Sequence, residues 1–212
     1  MLKINEIFFS IQGESSRTGY PTVFIRTSGC HLRCTYCDTT YAYYEGKKMS
    51  LVDIKSEVEK YPTKYVCLTG GEPLLQPHSL TLMKDLCDSG YLVSLETSGD
   101  VSCMEVDSRV LKVIDVKTPD SGAADRFNAE NLDLRDVNVE FKFVICSEKD
   151  FFWAEEFVRR HHLIGKYRVY YSPSHQQIPA VWLAEKILSE KSSAQLQLQL
   201  HKYIWSPDKR GV

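Results

Sequence analysis

The 212-residue chain predicts an α/β fold on a mostly parallel sheet, in the form of a reduced, partly open barrel. Three observations carry this. Apolar, β-branched runs alternate with helix-period segments along most of the chain, the pattern of strand–helix–strand crossovers. Two connections in the middle of the chain are too polar, and too interrupted by glycine and proline, to form full helices. No internal repeat, low-complexity tract or Pro/Gly/Ser-rich linker divides the sequence, so residues 1–212 read as one domain.

Taken in order, the strand signals fall at 6–11, 22–27, 64–69, 91–96, 111–116, 139–145 and 167–171, each bounded by turn residues. Helical patterns occupy 51–60, 78–89, 150–161 and 179–191. Ser50 ahead of Leu51, with Asp53 three residues on, is a capping-box start for the first helix. Ser147 followed by Glu148 and Asp150 favours another helix start, through the cap and the helix dipole. The broken connections are 97–110, with Gly99, and 117–138, with Pro119, Gly122 and several Asp and Asn residues. The aromatics between Phe151 and Phe157, with Trp182, lie at helical spacing and read as core or a subunit face. Residues 191–199 are polar and offer at most a short edge strand.

Composition excludes several classes. A hydrophobic fraction of 43% and a charged fraction of 25% suit a globular protein with a buried core. Lys plus Arg number 26 against 28 Asp plus Glu, a net charge of −2, which argues against a nucleic-acid footprint or a polybasic membrane anchor. No apolar run approaches the roughly 20 residues that span a bilayer. Glu6 interrupts the apolar start where a secretory signal would need continuity, so the expected location is the cytoplasm. Thiols stay reduced there, and a tight cysteine cluster then points to metal binding or catalysis. The seven cysteines lie at 30, 34, 37, 67, 87, 103 and 146, three of them crowded together.

That crowded segment is Gly29-Cys-His-Leu-Arg-Cys-Thr-Tyr-Cys-Asp38, a C-x3-C-x2-C spacing directly after the 22–27 strand. Three thiolates on one loop can hold three irons of a 4Fe–4S cluster and leave the fourth iron open. Structural zinc normally takes four protein ligands, and no second CxxC pair is present. An ordinary ferredoxin site would need a fourth cysteine at suitable spacing, and His31, beside Cys30, would crowd the loop. The scattered Cys67, Cys87, Cys103 and Cys146 read as small core hydrophobes.

The spacing, with aromatic Tyr36 before the last cysteine, resembles the signature of the radical S-adenosylmethionine (SAM) enzymes. The resemblance implies a partial, modified TIM-type barrel (β6/α3-like), with Cys30, Cys34 and Cys37 holding the cluster. It also implies that SAM chelates the open iron through its amino and carboxylate groups and is cleaved reductively to a 5′-deoxyadenosyl radical. Such chemistry belongs to the cofactor, and the protein supplies position and shielding. Thr69-Gly-Gly-Glu-Pro73 follows the 64–69 strand; its glycines allow close backbone approach and its carboxylate can accept from an ammonium. Read alone it is a strand-end turn, yet it also resembles the GGEP element that holds the SAM amino group, which brings Gly71 and Glu72 into the cofactor set.

Near the N-terminus, Gln12-Gly-Glu-Ser15 places an amide and a carboxylate at a strand end, groups suited to reading a heterocycle edge. This segment, with Gly19-Tyr-Pro21 and Phe24-Ile-Arg26, is similar to the 7-carboxy-7-deazaguanine synthase family. So are Cys37-Asp-Thr39, Glu96-Thr-Ser-Gly99, Asp115-Val-Lys-Thr-Pro119, Phe141-Lys-Phe-Val144, Ser172-Pro173 and Gln199-Leu-His-Lys202. The similarity implies a magnesium-dependent ring contraction of 6-carboxy-5,6,7,8-tetrahydropterin with loss of ammonia. Gln12, Gly13, Glu14, Arg26, Thr69 and His201 would meet the substrate, Arg26 through its carboxylate, and Thr39 would bind Mg2+. Lys117, Thr118 and Pro119, then Ser172, Pro173, Ser174 and His175, fall in two SAM-contacting loops. A flavodoxin- or ferredoxin-type electron donor and a homodimer are implied as partners. Whether the tail beyond Pro207 meets the site is left open. The alternatives are the activase of a glycyl-radical enzyme, which shares the cysteine loop, and a non-catalytic metal-binding module.

Overall fold

A single nine-stranded sheet organises the chain, in the order β3-β1-β2-β4-β5-β6-β7-β8-β9. The structure, a computed structural model, describes residues 1–135, 137–175, 177–207 and 209–212. The strands are β1 (Leu2–Ile11), β2 (Pro21–Thr27), β3 (Lys47–Met49), β4 (Tyr65–Gly70), β5 (Leu92–Thr97), β6 (Leu111–Asp115), β7 (Val139–Ile145), β8 (Arg168–Pro173) and β9 (Gln195–Leu196). Every pairing from β2 to β9 is parallel, whereas β1 runs antiparallel to both β2 and β3. The sheet does not close: β3 and β9 are its edges.

Four helices fill connections between parallel strands: α1 (Leu51–Val58), α2 (His78–Asp88), α3 (Glu148–Arg160) and α4 (Ala180–Ser189). A one-turn helix, α5 (His201–Ile204), follows β9. Among the described residues, the connections from β5 to β6 and from β6 to β7 hold no α-helix, only short 3-10 turns after β6 at Pro119–Ser121, Ala124–Arg126 and Ala129–Leu132. These are the two segments whose glycine, proline and Asx content argues against helices. The expected caps also form. Ser50 and Asp53 close a capping box on α1, and the Ser147 hydroxyl accepts from the Asp150 amide at the start of α3.

The core lies between the sheet and these helices, with Ile25, Leu68, Val93, Ile114, Phe141 and Tyr171 from the strands and Ile54, Met83, Phe151 and Leu183 from the helices. Phe157 and Trp182 pack against it, while Phe152 is exposed. The sheet departs from the sequence expectation in its antiparallel part. β1 begins at Leu2 rather than residue 6, because Leu2 and Ile4 turn inward between polar neighbours. β3 is a polar three-residue edge strand without an apolar signature of its own. Among the described residues no helix is long and apolar enough to cross a membrane.

The parallel arrangement brings the carboxyl ends of β2 and β4 to β8 to one rim, the end where ligand sites form in such sheets. Register sets neighbours there: Arg26 lies beside Thr69, Thr27 beside Gly70, and Asp115 beside Lys142.

Candidate active site

A cavity of about 680 Å3 opens at this rim. Cys30, Cys34 and Cys37 line one wall as free thiols. Their loop is fixed by main chain. The Gly29 amide donates to Ala42 O (2.9 Å), the Glu72 amide to Gly29 O (2.8 Å) and the Gly71 amide to Thr27 O (3.1 Å). A Cβ at Gly71 would stand 2.1 Å from Gly29 O, so only glycine lets the two loops touch. Burial pushes the Cys30 and Cys34 thiols up from their ordinary value, an environment in which bound iron supplies the charge that thiolates need. Among the described residues no three His, Cys, Asp or Glu side chains converge on one metal ion. All three thiols line the same cavity, where a cluster held by one thiolate per iron would meet them.

The Glu72 side chain points away from the cavity. Its carboxylate is fully buried and absent from the cavity wall. It accepts from the Leu74 amide (3.0 Å), the Thr97 hydroxyl (2.9 Å), and the Ser98 amide (2.8 Å) and hydroxyl (2.6 Å). With its acceptor sites filled, Glu72 ties the end of β4 to the end of β5 and leaves Gly70 and Gly71 as the lining. The two SAM-loop assignments divide the same way. Lys117, Ser174 and His175 line the cavity, while Thr118, Pro119, Ser172 and Pro173 do not. Thr118 is buried and donates to Val144 O (2.9 Å) and Asp150 (3.0 Å), an interior link between β7 and α3.

Gln12, Gly13, Glu14, Arg26, Thr69 and His201 are all brought to the cavity. Gln12 donates to Glu96 (3.3 Å), and the Thr69 hydroxyl donates to its other oxygen (3.0 Å). Glu14 is buried, pairs with the Lys142 ammonium and accepts from Gln199 (2.7 Å). Lys142 also meets Asp115 (3.3 Å), which holds Lys117 as well (3.1 Å). Burial works to raise the Glu14 carboxyl, but Lys142, with the Gln199 hydrogen bond and His201, more than offsets it and the value lies below the ordinary one. Burial and the neighbouring charge of Glu14 push Glu96 the other way, upward.

Arg26 donates through Nε to Glu6 (2.8 Å), and its guanidinium carbon lies 5.7 Å from the Phe8 ring centroid. Thr39 sits at the start of a 3-10 turn, Thr40–Tyr43, and its hydroxyl donates to Asp38 (2.8 Å). Lys202 pairs with Asp38 (2.7 Å), and Leu200 N donates to Gly13 O (3.1 Å). His201 is packed so closely on Gly13 that a Cβ there would lie 2.5 Å from its Nδ1. The tail also reaches the site: Pro207 and residues 209–212 line it, and the Arg210 guanidinium stands 3.7 Å from the Tyr41 ring centroid.

Sequence reasoning left Glu96, Asp115, Lys142 and Tyr41 without a role. For Lys142 a signal exists: it lies in a strand whose seven residues are all buried, where an unpaired lysine is almost never found.

A sequence model of the radical SAM superfamily matches residues 24–115. The 7-carboxy-7-deazaguanine synthase of Chlorobaculum tepidum is 44% identical over the whole chain and 97% of its own length. That of Koribacter versatilis is 42% identical over the full length of both. In fold, the chain resembles the crystal structure of QueE from Escherichia coli, with a TM-score of 0.78 over 94% of each chain at 22% identity. It also resembles Streptococcus suis SuiB bound to S-adenosylmethionine, with a TM-score of 0.56 over 80% of this chain and 48% of that one. Three thiols on one loop, the glycine cradle beside them and full-length identity of this order have one reading: the chain belongs to the 7-carboxy-7-deazaguanine synthase family, radical SAM lyases of 7-deazapurine biosynthesis that use a 4Fe–4S cluster and SAM.

Proposed function

We propose that the chain converts 6-carboxy-5,6,7,8-tetrahydropterin to 7-carboxy-7-deazaguanine and ammonia, with SAM regenerated in each cycle. The balance is redox-neutral: a hydrogen atom leaves the substrate, one ring nitrogen departs as ammonia, and a hydrogen atom returns. Cys30, Cys34 and Cys37 hold the cluster, and Gly71, Lys117, Ser174 and His175 are the cavity groups nearest to hand for SAM. When bound, cluster and SAM supply the hydrogen-abstracting radical.

The observation that carries this reading is the polarity of the cavity. Arg26, with a planar fork of donors, lines it together with the carboxylates of Glu14 and Glu96. A carboxypterin has the complementary pattern, a carboxylate on one ring and an amino-pyrimidine edge rich in N–H donors on the other. Arg26 takes the carboxylate, while Gln12, Glu14 and Thr69, with Glu96, read the donor edge. Thr39 supplies one hard oxygen to Mg2+, whose remaining ligands come from substrate and water. His201, held against Gly13, closes this side of the pocket. The electron comes from a flavodoxin- or ferredoxin-type protein, and the working unit is a homodimer in the cytoplasm; these partners rest on the family resemblance.

The test is turnover. Anaerobically reconstituted chain with SAM, dithionite and Mg2+ is expected to form 7-carboxy-7-deazaguanine from the carboxypterin, read by mass spectrometry, with much less product when Mg2+ is chelated. Reductive cleavage of SAM without deazaguanine product would sink the substrate assignment.

A further inference from the structure

Arg26 owes its pose to a residue outside the cavity. β1 pairs with β2 regularly except at one step: Ile4 lies opposite Thr27, yet Glu6 lies opposite Arg26. One residue, Asn5, is therefore extra. An unbroken ladder would place Asn5 opposite Arg26, so the bulge is what brings a carboxylate there. Bulges beside active sites commonly re-aim a side chain in this way.

The consequence is a compact arrangement behind the wall. Oε1 of Glu6 accepts from Arg26 Nε (2.8 Å) and from the Tyr41 hydroxyl (2.9 Å). Arg26, Tyr41 and Phe8 line the cavity, and Glu6 does not. Phe8 is itself stacked on Phe24, with centroids 5.0 Å apart and planes 9° apart. The guanidinium is thus held at Nε by Glu6 and flanked by a ring stacked on its neighbour. Among the described residues its two terminal nitrogens have no hydrogen-bond partner.

We infer that Glu6 is a positioning residue for the reaction: by taking the Nε–H of Arg26 from behind the wall, it leaves the two terminal nitrogens to receive a ligand carboxylate end-on. The inference rests on the reading of Arg26 as the contact for the substrate carboxylate. A carboxylate placed behind Arg26 weakens its long-range pull on an anionic ligand. Affinity alone would favour no acid here, so the arrangement trades attraction for orientation. Orientation matters more than affinity where one hydrogen atom must face the abstracting group, since misplacement by about 1 Å can cost on the order of 100-fold in rate.

The test compares Glu6→Ala, Glu6→Asp and Glu6→Gln with Arg26→Ala in the reconstituted enzyme, with far-UV circular dichroism and iron content as fold controls. Glu6→Ala frees the guanidinium, and Glu6→Asp is one methylene too short to reach it. Both are expected to lower kcat about tenfold while changing KM for the carboxypterin less than about threefold. Both are also expected to raise the 5′-deoxyadenosine released per product, because cleavage continues while transfer misses. Glu6→Gln keeps the carbonyl acceptor and should lie within about threefold of the parent in kcat and in coupling. Parental kcat and coupling in either Glu6→Ala or Glu6→Asp would overturn the inference, as would a loss confined to KM. Arg26→Ala is the separate check: an unchanged KM there defeats the carboxylate contact itself, whatever Glu6 does.

Discussion

The two walls of the cavity are held by different forces. The cysteine wall is largely a main-chain construction, with the loop around Gly29 pinned by amide–carbonyl bonds to Ala42 and Glu72, and the glycine turn to Thr27 through Gly71. Its buried Glu72 accepts from the Leu74, Thr97 and Ser98 groups, and on the cysteine loop His31 pairs with the nearly buried Asp100 side chain. The other wall is an ionic construction in which Glu14, Lys142 and Asp115 alternate in sign and touch in series, ending at Lys117 on the side proposed for SAM. The first wall can keep its shape whatever occupies the cavity. The second pairs charges that a ligand can compete for, so it is the wall able to sense what binds. Substitutions should accordingly remove the cofactor on one side, and stability together with substrate affinity on the other.

The largest effect separates the loop thiols from the core thiols. Cys34→Ala is expected to abolish incorporation of the cluster, with iron near background and no SAM cleavage. Cys67→Ala removes a small, fully buried side chain from β4 and should retain iron, at a cost of about 1 kcal/mol in denaturant unfolding. Equal iron loss in both would mean that the wall is not defined by this loop.

Next comes Lys142→Met, which leaves Glu14 and Asp115 buried without their shared cation. Breaking a buried pair from one side typically costs about 3–5 kcal/mol, and chemical denaturation near neutral pH should show a loss of that size. The pH dependence should also invert. In the parent, Lys142 holds Glu14 below its ordinary 4.5, so its contribution is present above that pH and is lost as pH falls below it. In Lys142→Met only burial remains dominant, and it raises the carboxyl; the Glu14 contribution is then present in acid and lost as pH rises above 4.5. A variant with parental stability and an unchanged pH profile would show that the ionic wall is not load-sharing.

Glu72→Gln is the intermediate case. One carboxylate oxygen becomes an NH2 facing the buried hydrogens that now point at it, a mismatch worth about 2 kcal/mol. The loss should appear in unfolding and as weaker SAM binding by equilibrium dialysis, with iron content unchanged. Iron loss instead would place Glu72 in holding the cysteine loop rather than in shaping the glycine turn.

This division also decides what could be read in advance. The cysteine loop, the glycine turn and the Ser50–Asp53 cap were legible because each is a short stretch whose residue types and spacing carry the signal, although the loop and the turn find their hydrogen-bond partners elsewhere in the chain. The helix-poor middle was legible from Gly99, Pro119 and Gly122, since a backbone that cannot be helical announces itself locally. The ionic wall is built from residues far apart in the chain, with Glu14 and Lys142 separated by 128 positions and Glu14 and Gln199 by 185. Those pairings exist only once strand register is set. Glu72 and Thr118 show the converse: they sit within recognisable motifs, but whether a side chain faces a cavity or the interior depends on the packing of neighbouring strands. The β1 bulge is the extreme case, because one unpaired residue decides whether Asn5 or Glu6 faces Arg26.

The smallest effect tests where the ionic wall ends. Lys202, within α5, pairs with Asp38, and it has only 10% of its side chain exposed against 48% for Asp38. Water on the aspartate side screens the pair, so its worth lies near that of surface ion pairs, at most about 1 kcal/mol. Lys202→Met keeps the apolar stem and removes the charge. It should change unfolding stability by less than about 1 kcal/mol, and the difference should shrink further in high salt, where exposed pairs are screened. KM for the carboxypterin should rise about two- to threefold, because His201 beside it keeps its packing on Gly13 while α5 loses one tether. A loss as large as that of Lys142→Met would place Asp38 and Lys202 inside the ionic wall, and the boundary between ligand-sensing charges and simple surface pairing would then move to the tail.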